Sequence, residues 1–225
     1  ALGVGLGYAL GHAIVAKPAF PPGEVTSRIP YLAVAAAVVS VGQGGGLGRF
    51  LRALALASVV YLVMLSPILS RGEHSNLALI GLAGTALTAL ISAGNVAALD
   101  EPGRRIELHW ALAVLSFGAG FVFLMARSVV LAQLSLVLAA SLVGAWRASA
   151  PGVSLVALTV LSALVIESVF YAFLPASGAL LIAGAPALNW VTRLGPLARL
   201  GTKGRAILTV TLIAATVALA LFVVI

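Results

Sequence analysis

Cysteine is absent from the chain, and charged side chains make up only 8% of its 225 residues. The first absence excludes disulfides, c-type haem attachment, Cys-ligated iron–sulfur clusters and thiol catalysis. The second excludes a water-soluble globule. A soluble domain carries about 25% charged residues, and this chain has too few polar side chains to coat one. The remainder is 62% hydrophobic, with a mean hydropathy of +1.17. Lipid is the solvent that suits such a surface, and the fold class expected is an all-α, polytopic transmembrane helix bundle forming one membrane domain over 1–225.

Acidic residues are also scarce, with 13 Lys+Arg against 6 Asp+Glu. The basic residues fall in the gaps between apolar runs instead of forming a contiguous face. That spacing excludes a nucleic-acid footprint and fits lipid headgroups and cytoplasmic loops.

A membrane-crossing helix needs roughly 20 mostly apolar residues. Breaks at charge, Pro and Gly divide the chain into runs at 1–16, 30–48, 53–70, 77–99, 108–126, 128–146, 153–173, 176–190 and 206–225. This gives an expectation of eight or nine membrane segments. The first run has no basic n-region and is not expected to be a cleaved signal peptide. As one helix, 108–146 would be about 58 Å long, so a tight hairpin is expected at Arg127.

The run 176–190 is short and holds two Gly and one Pro. It either spans or lies re-entrant or along the interface. If it spans, nine basic residues (Arg49, Arg52, Arg104, Arg105, Arg147, Arg193, Arg199, Lys203, Arg205) share one side, against Lys17, Arg28, Arg71 and Arg127. The orientation rule then puts the N-terminus in the cytoplasm and the C-terminus outside, in the inner or plasma membrane. If it does not span, the last four change sides and the orientation inverts.

Small residues recur at helical spacing. Gly3, Gly7 and Gly11 make two overlapping GxxxG steps, a groove that admits another backbone. Gly81, Thr85, Thr88, Ser92 and Asn95 form a second seam, and His109, Ala113, Ser116 and Gly120 a third. An unpaired polar group in hydrocarbon costs several kcal/mol, so these seams are expected to face protein or water.

Glu167 is the main candidate for chemistry. It lies about 9 Å inside the end of its run by helical rise, and an ionised acid near a helix centre costs on the order of 3 kcal/mol. It must be protonated, paired or open to an aqueous cavity. Thr159 and Tyr171 share its helix face, and Tyr171 is placed to hydrogen-bond it. One reading makes Glu167 a group that binds and releases a proton or cation; the other makes it neutral glue between helices. Gln133 and Asn95 are further polar groups within apolar runs. Gln43 sits in a stretch with five glycines over 42–48, where an unwound helix can expose carbonyls to a site. The stretch lacks the spacing and Lys of a nucleotide-binding loop.

The basic, leucine-interleaved gap 191–205, with Arg193, Arg199, Lys203 and Arg205, is expected to lie on lipid headgroups or dock a partner. His12, His74 and His109 make no metal-binding pair, and no nucleophile–base motif occurs. No metal, cofactor or enzymatic activity is expected. Two functions remain. One is a small secondary transporter or channel-like permease using the buried carboxylate. The other is a non-catalytic subunit anchoring or assembling a larger membrane complex. The partners expected are the bilayer and other membrane subunits or further copies of the chain.

Overall fold

A computed structural model of the chain describes residues 1–17, 22–41, 46–69, 84, 87–88, 90–91, 104–146 and 152–225. Gln43, Gly81 and Asn95, with most of the expected run 77–99, lie outside the described residues. Within them the protein is helical, without strands. The helices are α1 (Leu2–Ala16), α2 (Ile29–Val39, entered through a 3-10 turn at Thr26–Arg28), α3 (Gly46–Leu69) and α4 (Arg104–Met125). They continue with α5 (Val129–Gly144), α6 (Val153–Tyr171), α7 (Ala176–Gly184) and α8 (Thr202–Val224).

The expected eight or nine membrane segments are corrected by length. Among the described residues four helices are long and apolar enough to cross a bilayer: Phe50–Pro67 of α3, Glu107–Met125 of α4, α6 and α8. The apolar stretches Leu2–Ala16, Thr26–Val39 and Val129–Gly144 are shorter. At 1.5 Å per residue they measure about 21–24 Å against a ~30 Å hydrocarbon layer. Chain breaks set these limits. Lys17 closes α1 with a left-handed backbone. Arg127 is left-handed too (φ 64°). The Ser128 amide reaches back to the Phe123 carbonyl and the Arg127 amide to Leu124. That double closure ends α4, satisfies its last carbonyls and turns the chain sharply into α5.

α6 is the axis of the bundle. Fifteen of its 19 residues are buried, and α1, α2, α3, α4, α5 and α7 all pack on it. An apolar helix of this kind, without a polar face, belongs in a core. Gly152 starts it at φ 95°, with its α-carbon so close to Ser40 that an added Cβ would sit 2.5 Å from the serine Cβ. α8 is the opposite case. Only Thr209, Ile213, Val217 and Ala220 are buried, a single stripe at steps of four, four and three, while Ile207, Leu219 and Phe222 face outward. An apolar exterior of that extent belongs against lipid or another membrane helix.

Contacts between helices fix their directions. Thr209 of α8 donates to Glu107 of α4, and Gly118 of α4 meets Val217 of α8. These two helices are therefore parallel and begin at the same end. Ser135 donates to the Ser116 carbonyl and His109 touches the Leu142 carbonyl, so α4 and α5 are antiparallel. Arg28 donates to the Val63 carbonyl and the Ser66 hydroxyl, and Tyr171 to the Met64 carbonyl. The start of α2 therefore lies with the ends of α3 and α6. We call the end holding the starts of α1, α3, α4, α6 and α8 the first end, and the other the second.

The chain must consequently travel from the second end, where α6 finishes, back to the first, where α8 begins. It does so through a broken helix. α7 spans nine residues, and a 3-10 segment, Ala185–Arg193, continues it. Gly178, near the start of α7, meets Val224 at the end of α8, and the 3-10 segment packs on α8 and α4. The expected run 176–190 is thus neither a regular membrane helix nor a surface loop. Pro186, which lacks an amide proton, and Gly184 before it account for the switch. At 1.5 and 2.0 Å per residue, the two pieces cover about 31 Å.

The parallel arrangement of α4 and α8 can be tested without removing any native thiol. With Gly118→Cys and Val217→Cys together, mild oxidation in membranes is expected to give an internal disulfide, since the two β-carbons would lie 3.1 Å apart and a shift of about half an ångström brings them into the ~3.5–4.5 Å range such bonds take. An antiparallel α8 moves position 217 out of reach and gives none.

Candidate functional site

Two buried carboxylates sit at opposite ends of the bundle, and they differ in what answers their charge. Glu167 lies in the penultimate turn of α6, about 21 Å along the axis from Val153, and is 7% exposed. Its Oε1 accepts a short hydrogen bond from the Thr26 hydroxyl, at the entry to α2. Its Oε2 has no hydrogen-bond partner among the described residues. A cleft of about 430 Å³ opens beside it at the second end of the bundle.

The cleft's walls come from four places in the chain. α1 supplies Val15 and Ala16, the loop before α2 supplies Glu24, Thr26 and Ser27, the α4–α5 hairpin supplies Ser128, Val130 and Leu131, and α6 supplies Glu167, Tyr171 and Ala172. Glu24 is exposed and within electrostatic reach of Glu167. No basic side chain is among the lining residues. Lys17, Arg28 and Arg127 each adjoin a lining residue in the chain; Arg28 is turned to α3 by its bonds to Val63 and Ser66. The cleft therefore joins two acids and several hydroxyls to an aliphatic wall.

α1 presents two buried polar side chains to the interior of the bundle, Tyr8 and His12. Tyr8 is fully buried, its hydroxyl without a partner among the described residues, and it lies within electrostatic reach of Glu167. His12, one turn on, packs edge-to-face on Tyr8 with ring centroids 5.8 Å apart. Both of its ring nitrogens lack partners among the described residues. A Tyr–x–x–x–His step within an apolar helix is visible in the sequence; what the sequence does not show is that it turns toward α6.

The second carboxylate, Glu107, was also not anticipated, because the edge of an apolar run looks like a water-facing position. It is 1% exposed. Its Oε1 accepts from Thr209 at 2.9 Å, and Arg205 Nε stands 4.0 Å from Oε2. A cation thus stands beside this carboxylate, linking α4 to α8, although Oε2 itself accepts no hydrogen bond among the described residues.

The other expected residues distribute as follows. Tyr171 lines the cleft, but its hydroxyl proton goes to the Met64 carbonyl, so Thr26 and not Tyr171 holds Glu167. Thr159 is buried two turns away and does not line the cleft. Gln133 is exposed on the outer face of α5, which removes it from any internal path. In the glycine groove of α1, Gly7 and Gly11 face Ser141 and Val137 of α5, whereas Gly3 has no neighbour. The close approach to α2 is made by Gly5, where a Cβ would lie 2.7 Å from Ala37 Cβ. Ser116 and Gly120 are buried against α5. Of the basic group, Arg199 and Lys203 are exposed, Arg193 is half-buried, and Arg205 turns inward to Glu107. Among the described residues there is no cluster of metal-ligating side chains.

The Glu107 pair predicts a thermodynamic cycle. Arg205→Met strands a buried carboxylate and is expected to lower stability by on the order of 3 kcal/mol. Adding Glu107→Gln, which keeps the Thr209 bond, recovers most of that loss in thermal unfolding in detergent. No recovery would show that the pair does not hold these helices together. Comparison with known proteins adds no name to this geometry: no family model, curated protein or solved structure matches the chain.

Proposed function

We propose that the protein is a multi-pass membrane transporter or permease in which Glu167 takes up and releases a proton or cation from the cleft at the second end. The observation that carries this is Oε2 of Glu167, buried at the wall of a cleft and without a hydrogen-bond partner or a lining cation among the described residues. Glu107 also leaves its Oε2 without a hydrogen bond among the described residues, but a guanidinium stands 4.0 Å from it, whereas no cation lines the cleft at Glu167 among those residues. Burial with an open valence and no lining cation is the arrangement expected of a carrier group in a membrane protein. Glu24 and Tyr8 lie within electrostatic reach of Glu167; Lys17, Arg28 and Arg127 stand at the same end of the bundle, with Arg28 turned away to α3.

The orientation that goes with this reading has the N-terminus in the cytoplasm and the C-terminus outside the cell membrane. Among the described residues eight basic positions lie toward the first end (Arg49, Arg52, Arg104, Arg105, Arg193, Arg199, Lys203, Arg205) and three toward the second (Lys17, Arg28, Arg127). That bias supports a cytoplasmic first end. Arg193, Arg199 and Lys203 then lie at the level of the inner headgroups. The cleft opens outward.

A second reading, a non-catalytic subunit of a membrane complex or a homo-oligomer, draws on the outward apolar face of α8. Under it the face covered by lipid would be covered by a partner helix, and purification in gentle detergent would give a stoichiometric assembly.

The transport reading is tested in vesicles loaded with a pH-sensitive dye. Wild-type protein is expected to pass protons under an imposed potential at a rate well above empty vesicles. Glu167→Gln keeps the shape and removes the titration, and is expected to bring the rate to background, with Glu167→Asp intermediate. Equal rates for wild type and Glu167→Gln would reject the role of Glu167.

A further inference from the structure

We infer that the cleft beside Glu167 is a binding site for an amphiphilic organic monocation, a substituted ammonium carrying a small apolar or aromatic body. The inference rests on the reading of Glu167 as the working group and adds the class of ligand.

The charge of the site comes first. Glu167 and Glu24 line one cleft, and no cationic side chain lines it among the described residues. Two acids in electrostatic reach of one another repel when both are ionised, so a positive ligand is favoured over water or an anion. Glu167 also offers a specific atom. Its Oε2 is nine-tenths buried and lacks a donor, while Oε1 is already held by Thr26. The carboxylate is thus oriented before any ligand arrives, which saves the ordering cost of binding.

Size and wall chemistry then separate an organic cation from an inorganic one. A water molecule takes a share of about 30 Å³ in the liquid, so the volume corresponds to roughly fourteen waters. It falls within the ~300–1,000 Å³ typical of small-molecule pockets. A hard inorganic ion needs about six oxygen ligands converging on one point. Here the acids and hydroxyls share the walls with Val15, Val130 and Leu131, which cannot coordinate an ion but do cover an apolar group. An ammonium head placed at Glu167 leaves its body against these three side chains. When Glu167 is protonated, the ammonium displaces that proton to the cleft water, and charge is conserved at the site.

The test uses the full chain in nanodiscs of zwitterionic lipid, with benzyltrimethylammonium as the probe and isothermal calorimetry as the readout. The probe is expected to bind saturably, and tetramethylammonium, which lacks the aromatic body, to bind more weakly. Sodium at comparable concentration is expected not to displace it. Glu167→Gln is expected to weaken the probe about thirtyfold, the scale of losing a buried charge partner. Because that variant can also perturb folding, the unmutated protein is examined with methyl labels. Contacts from the probe's ring protons to Val130 and Leu131 are expected in nuclear Overhauser spectra. Absence of saturable binding, displacement by sodium, or ring contacts elsewhere would overturn the inference. Proton flux that depends on Glu167 without any ammonium binding would overturn the ligand class alone and leave the carrier role standing.

Discussion

In the interior of a bundle whose apolar helices are long enough to cross a membrane, a polar atom can be answered only by protein or by water that protein lets in, and that constraint orders the described structure. Lipid tails accept the exposed faces of α3 and α8 at no cost, so the apolar effect does not by itself say which helix faces inward. Polar pairs and close backbone approaches do. Ser135 finds the Ser116 carbonyl, Thr209 finds Glu107, Arg28 finds α3, and α1 closes on α2 through Gly5. Each contact links two helices and sets their relative direction. Together they leave α6 at the centre.

Against that background the polar atoms left unanswered stand out. Among the described residues they include Oε2 of Glu167, the Tyr8 hydroxyl and the His12 ring nitrogens on α6 and α1, and also Oε2 of Glu107, His109 Nδ1 and Arg193 toward the opposite end. Glu107, at the other end, has Thr209 and Arg205. Each acid accepts from one threonine and leaves its Oε2 without a hydrogen bond among the described residues; they differ in the charge nearby. Glu107, with Arg205 4.0 Å away, ties α8 to α4. Glu167 faces a cleft with a second acid at its edge and no cation in its lining among the described residues.

Much of this was legible in the sequence, and the failures follow a pattern. The helical class, the sharp turn at Arg127 and the exceptional status of Glu167 all came from features local to the chain: hydropathy, a charge between apolar runs, an acid inside one. The spacing of Gly7 and Gly11 also marks a close contact. What could not be read was which way a helix faces when it is apolar all round. Gln133 shares α5 with buried Ser135 yet points outward, and Gly3 belongs to the same repeat as Gly7 yet touches nothing. Tyr171 lies one turn from Glu167, but its proton is taken by a carbonyl 107 residues away in the chain, and Thr26, 141 residues away, takes its place. The 3-10 continuation of α7 is a similar case. Gly184 and Pro186 announce a break, but only the parallel setting of α4 and α8 shows that the broken piece must run the length of the bundle. Among the described residues four helices reach a membrane-crossing length instead of the eight or nine expected, because apolar composition does not by itself give length.

The central claim is that the Glu167 carboxyl changes its state in response to what enters the cleft. Infrared difference spectroscopy of the protein in lipid reads this directly, since a protonated carboxylic acid has a carbonyl band separate from the amide bands. On titration, a band is expected to appear on the acid side and vanish on the basic side, and to be missing throughout in Glu167→Gln. A spectrum with no titrating carboxyl band, or one that Glu167→Gln leaves intact, would contradict the account.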